Sequence, residues 1–274
     1  MGAQMKSRCV VFAVVTAGVF SLATISVSVA ADILAPMPTK APVLTPPPPA
    51  WSSEFTPYFW LSGLNGNTQV GPSAPVTNID LSFSDLIQHT GFAAMGTAEV
   101  RYGKFGFVAD MMYLSLGAGA TGPAGYVNAQ LKDKTFIGTF NFAYRVIEGG
   151  LYWVDVEAGM RGWAMNVDLS FDAVPLGASH TYGLNKSWVD PIFGVRARAN
   201  LGSKFFVEGY ADVGGFGVSS KSTWQVAGLV GYQYSPSVAF MAGYRYLAVD
   251  YERDGFLWDV NLSGPILAIN FKLN

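Results

Sequence analysis

From residue 54 onward the chain alternates. Over 136–146 one parity holds Phe136, Gly138, Phe140, Phe142, Tyr144 and Val146, and the other holds Ile137, Thr139, Asn141, Ala143 and Arg145. At the end of the chain Pro265, Leu267, Ile269, Phe271 and Leu273 alternate with Gly264, Ile266, Ala268, Asn270 and Lys272. A period of two belongs to strands, whose side chains point alternately to opposite faces. The pattern predicts strands over 54–63, 91–102, 105–116, 132–146, 151–165, 188–201, 204–215, 222–234, 238–249 and 256–273. Connections alternate in length. Tight turns fall at 102–105, 148–150, 201–204 and 235–237, and mostly longer loops at 64–90, 117–131, 166–187, 216–221 and 250–255. No stretch after residue 53 reaches the roughly 20 apolar residues of a spanning helix.

Alternation alone does not say which face is buried, and charge chemistry decides it. With the apolar parity outward, the other face carries Glu99, Arg101, Asp110, Arg145, Asp155, Glu157, Arg161, Asp190, Arg196, Arg198, Glu208, Asp212 and Arg245. Seven carboxylates and six guanidiniums nearly cancel, and six of the eight Arg lie there, whereas Lys falls mainly in turns, loops and strand ends. Arg suits enclosed sites, where its planar fork pairs a carboxylate through two bonds. Gly159, Gly194, Gly231 and Gly243 share that face and leave room for long side chains. Outward, Tyr102, Phe105, Tyr144, Tyr152, Phe205, Tyr232, Tyr234 and Phe271 lie near the tight turns, and Tyr113, Phe136, Trp224 and Tyr246 near the long loops. Two aromatic girdles around an aliphatic band match the two interfaces of a bilayer. The fold class is therefore all-β: a transmembrane antiparallel up-and-down β-barrel of about 10 strands (8 is the alternative), with short periplasmic turns and longer extracellular loops.

Composition agrees: the chain is 50% hydrophobic and 13% charged, about half the charge of a soluble domain. With a net charge of −2 and no basic patch, a nucleic-acid partner is excluded. Lys6 and Arg8, the apolar run 9–23 and the small residues ending at Ala30 or Ala31 have the order of a secretory signal peptide over 1–30. Its removal takes Lys6, Arg8 and the single Cys9, leaving 15 basic and 19 acidic residues. The segment 31–53, with Pro36, Pro38, Pro42 and Pro46 to Pro49, reads as an extended periplasmic linker. The domain is 54–274.

Gly243-Tyr-Arg-Tyr-Leu-Ala-Val-Asp250-Tyr251, Asp254-Gly255-Phe256, the closing 262–271 and Tyr102-Gly-Lys-Phe-Gly-Phe-Val-Ala-Asp110 resemble small outer-membrane β-barrel proteins of the opacity and porin-like superfamily of Gram-negative bacteria. The resemblance covers roughly 54–274 and implies residence in the outer membrane, contact with its lipid and insertion by the barrel-assembly machinery. Such chains end on an aromatic residue; this one ends Phe271-Lys272-Leu273-Asn274, so that signal is displaced.

Chemistry-bearing motifs are sparse. Only two His occur, His89 and His180, both in expected external loops, and no metal or cofactor set is visible. Asp80, Asp85, Asp172, His89 and His180 are the residues an outer-membrane hydrolase with a mouth-located site would use. Ser179 and His180 are adjacent on an extended chain and point apart. The stretch 117–122 lacks the Lys-Ser/Thr ending of a phosphate loop. With Trp153, Trp163, Phe206, Tyr210, Met112 and Leu229 also inward, the lumen is expected to be narrow or blocked. That favours a structural or surface protein, at most a narrow pore for small solutes and not an enzyme; the long loops could equally recognise an external partner or cap the mouth.

Overall fold

The computed structural model describes residues 51–72, 75–121, 127–173 and 178–273. The expected leader and nearly all of the Pro-rich segment lie outside them. Twelve strands and one short helix are present among the described residues. We number them β1 (Trp51–Trp60), β2 (Gly63–Val70), β3 (Thr77–Leu81), α1 (Phe83–Gln88), β4 (Thr90–Tyr102), β5 (Phe105–Thr121) and β6 (Val127–Glu148). Then follow β7 (Tyr152–Ala173), β8 (Ala178–Leu201), β9 (Phe205–Gly214), β10 (Ser222–Ser235), β11 (Val238–Arg253) and β12 (Phe256–Lys272).

Ten of these strands close a barrel. β4 to β12 pair in sequence order, β1 joins β4, and the β1–β12 pairing completes the ring. β2 and β3 are an annex on β12 at the long-loop end. β2 continues β1 along β12 in one register, with Glu54 opposite Lys272 and Val70 opposite Phe256. The expected first loop, 64–90, is therefore mostly a folded hairpin followed by α1. The first strand also begins at Trp51, so the last residues assigned to the linker belong to the wall.

Two other expected loops, 117–131 and 166–187, are largely strand. β7 and β8 run for 22 and 24 residues, whereas a tilted strand crosses a bilayer in about 10. The excess projects beyond the membrane, and an apolar parity continues there, with Val167, Leu169 and Phe171 against Asp168, Ser170 and Asp172. Among the remaining connections, β11 turns into β12 through Asp254 and Gly255, with φ of 54° and 74°. Two successive left-handed residues make the hairpin turn that Asp-Gly favours.

The apolar outer wall is exposed in the isolated chain: Phe105, Phe142, Tyr152, Phe193 and Val230 are all more than half accessible. Inside, the sheet is filled. Buried apolar side chains gather at the long-hairpin end and buried charges at the short-turn end. Gly231 shows how closely the inner layer packs, because a Cβ there would strike the Phe206 ring.

Candidate functional site

The interior is the candidate site, since side chains from nearly every wall strand converge there. Its charged tier is organised by three centres. Asp155, on β7 and fully buried, accepts from Arg101 Nη2 at 2.5 Å, from Arg145 Nε at 2.8 Å and from Arg145 Nη2 at 3.1 Å. Glu99 accepts from Arg101 Nε at 2.9 Å and Arg196 Nη2 at 2.6 Å, while Arg196 Nε stands 3.2 Å from Glu157. Glu157 also accepts from Asn141 Nδ2 at 2.8 Å. Four strands, β4, β6, β7 and β8, are thereby tied across the lumen.

The second centre is Arg161. It is inaccessible, donates to Asp212 at 2.5 Å, and gives Nε to Thr139 and Nη1 to Thr223, each at 3.1 Å. The third is Arg245, which donates to Asp110 at 2.7 Å, to the Tyr58 hydroxyl at 2.9 Å and to Gln225 at 2.7 Å. Tyr58 in turn donates to Asp110 at 2.6 Å. The Arg245 guanidinium lies 4.8 Å from the centre of the Trp60 ring.

Three residues of the expected set behave differently. Asp190 has no Arg partner among the described residues; it accepts from the Ser220 N–H at 2.7 Å and the Ser220 hydroxyl at 2.6 Å. It therefore anchors the β9–β10 loop. Arg198 and Glu208 face each other across the β8–β9 ladder, yet no ion pair joins them. Arg198 stands over Phe206, its guanidinium carbon 3.4 Å from the ring centre, a cation–π contact, and donates to Gln233 at 3.4 Å. Arg198 and Glu208 both line a cavity of about 500 Å³ bounded by the first and third centres.

Towards the long hairpins the interior becomes apolar. Trp163 and Trp188, cross-strand partners on β7 and β8, stack at 5.5 Å, and Tyr251 of β11 stacks on Trp188 at 4.1 Å. Met112, Ile137, Leu247, Val249, Phe256 and Val260 complete this layer. Trp163 and Met112 were expected inward, but the layer as a whole was not. Its signal was available: Trp163 and Trp188 lie on the same parity as Arg161 and Asp190.

The mouth-located hydrolase candidates fall on two parts of the fold, Asp80, Asp85 and His89 on and around α1 and Asp172 and His180 in the β7–β8 ladder. His89 caps the C-terminus of α1, with Nδ1 2.7 Å from the Asp85 carbonyl. Asp85 belongs to a capping box with Ser82, and Asp80 accepts from Asn65 at 3.1 Å. His180 pairs through its backbone with Phe171 in the β7–β8 ladder, and Asp172 pairs with Ser179. His89 and His180 thus sit on different elements, at the end of α1 and on β8.

No protein-family model matches the chain, and no curated protein matches it. Solved structures do. The outer membrane protease OmpT from Escherichia coli matches with a TM-score of 0.54 at 8% identity, over 82% of this chain and 97% of that one. The translocator domain of the autotransporter NalP from Neisseria meningitidis gives 0.42 at 12% identity, over 80% and 88%. Ail from Yersinia pestis gives 0.33 at 11% identity, over 81% and 98%. At such identities the likeness concerns the fold alone: the chain is a ten-stranded outer-membrane type β-barrel with two extra strands.

Proposed function

We propose that this chain is a non-enzymatic structural or surface protein of the outer membrane, exported by its N-terminal leader, with a lumen closed to bulk solute. The observation that carries the reading is the layered interior: Trp163, Trp188 and Tyr251 stack across the lumen above the Arg161–Asp212 centre. Ten strands also lie near the size at which side chains alone fill a barrel. The near balance of enclosed Arg and carboxylate favours neither cation nor anion passage. The long hairpins β5–β6 and β7–β8 are then the parts offered to the outside.

The test is single-channel recording in planar bilayers. The native chain is expected to give no steady open level, and Trp163→Ala with Trp188→Ala is expected to introduce one by emptying the stacked layer. A large, stable conductance from the native chain overturns the closed lumen.

A further inference from the structure

The barrel wall is incompletely paired at one seam. β4 pairs with β1 only from Trp51 opposite Tyr102 to Pro57 opposite Gly96. Continued in that register, Trp60 would face Ala93. It does not, because Thr90 to Ala94 pair with β5 alone, while β3 occupies the neighbouring edge of β2 from Leu64 to Thr68. α1 bridges from β3 to β4 beside the opening.

Backbone geometry identifies the groups left facing the seam. Leu61 N donates to Pro265 of β12, and Ser53 O accepts from Leu273. By the alternation of an antiparallel ladder, Tyr58, Trp60 and Ser62 therefore turn their N–H and C=O towards β4. The same alternation turns those of Ala93 and Met95 towards β1. The Pro57–Gly96 pairing is closed by the Tyr58 N–H donating to Met95, because proline has no N–H of its own; beyond it, the groups of Trp60, Ser62 and Ala93 have no backbone partner among the described residues. The exposure pattern agrees, since Gly91, Phe92, Ala93 and Ala94 are exposed in succession instead of alternating.

The seam lies in the outer half of the bilayer band. Ala94 is level with Tyr113 of the outer girdle, and Gly63 connects through Ser263 to Tyr246. A cleft of about 1100 Å³ opens there, lined by Phe59, Leu61, Leu86, Ile87, Phe92 and Leu114 among others, and it continues along the lipid-facing wall over Leu267 and Ile269. Tyr58, Met241 and Ala268 line both this cleft and the polar interior cavity. Unpaired peptide groups at hydrocarbon depth cost several kcal/mol each, and a plain hydrocarbon cannot satisfy them.

We propose that this seam is a binding site for a single-chain amphiphile of the fatty-acid class, taken from the outer leaflet. Its alkyl chain lies along Phe59, Phe92 and Leu114, and its polar head meets the unpaired backbone of Trp60, Ser62 and Ala93. The site is in the wall and does not depend on whether the lumen conducts.

Native mass spectrometry of the refolded full chain with dodecanoic acid tests it. One retained dodecanoate is expected on the native chain and on Ala158→Trp, a control on the exposed wall of β7. Loss of the adduct is expected for Ala94→Trp and for Ala93→Phe, which fill the cleft from its two faces; heat-dependent gel migration identifies the variants that have folded. Absence of an adduct on the native chain, equal retention by a folded cleft-filling variant, or a dimer joined in place of the adduct overturns the proposal.

Discussion

Arg161→Met measures what encloses the second charged centre. Both Arg161 and Asp212 have no accessible side-chain surface, so truncation leaves the Asp212 carboxylate enclosed without its cation. Breaking a buried pair from one side costs about 3–5 kcal/mol. The hydroxyls of Thr139 and Thr223 also lose their guanidinium partner, and hydrogen bonds to a charged group are worth about 1.5–3 kcal/mol each. These contributions overlap, so the expected loss stays near the upper end of the single-pair range, about 4–5 kcal/mol.

Arg161→Met with Asp212→Leu removes both charges and keeps volume, and it is expected to recover most of that loss, because apolar replacement of a whole buried pair is often neutral. The assay is reversible urea unfolding of the chain in lipid vesicles, followed by tryptophan fluorescence and by heat-dependent gel migration. A cost below about 1 kcal/mol for Arg161→Met, the range of solvated surface pairs, would refute the enclosed lumen. So would a double variant worse than the single one.

The lipid-facing assignment is tested by Met160→Arg, an exposed outward position midway along the crossing part of β7. A cost of about 2–4 kcal/mol is expected in vesicles, against less than about 0.5 kcal/mol for an ordinary surface position in water. In α1, the Ser82 hydroxyl, followed by the Ser82 N–H, holds the Asp85 carboxyl below its ordinary range. Because the folded pKa is depressed, this support is present above the unfolded value of about 4 and is lost as pH falls through the folded value. Hydrogen-exchange protection of α1 should thus hold from neutral pH to near 4 and decline below it, and Ser82→Ala should lower protection at every pH; an unchanged helix in the variant would contradict the capping account.

Much of this architecture is legible in the chain because a bilayer imposes period two on every crossing segment. Phe136 to Val146 and Pro265 to Leu273 could be assigned residue by residue, and the same parity places Arg145, Asp155, Glu157 and Arg161 inside. Beyond the membrane the period persists, with Val167, Leu169 and Phe171 against Asp168, Ser170 and Asp172, but Pro175 and Gly177 close by give 166–187 the look of a loop. Partner choice is also absent from parity: it puts Arg198, Glu208 and Asp190 inside but cannot tell that Asp190 holds Ser220. The apolar tier escaped for a related reason, since a lumen is expected to be polar and Trp188 and Leu247 break that expectation at inward positions.

The closing strand carries two separate breaks. Proline in a strand lacks the ladder donor, and the alternation that turns Ser53 and Leu61 towards β12 turns the nitrogen of Pro57 the same way. The β1–β12 ladder accordingly skips Thr56 and Pro57. Asn270 covers that gap with its side chain, donating to Thr56 at 2.9 Å and Glu54 at 3.0 Å. The β4 edge differs: Pro57 still pairs with Gly96, and the wall parts beyond it because the chain diverts through β3 and α1. The proposed amphiphile site therefore follows from the course of the chain after β1, and the proline break on the opposite edge is repaired by Asn270.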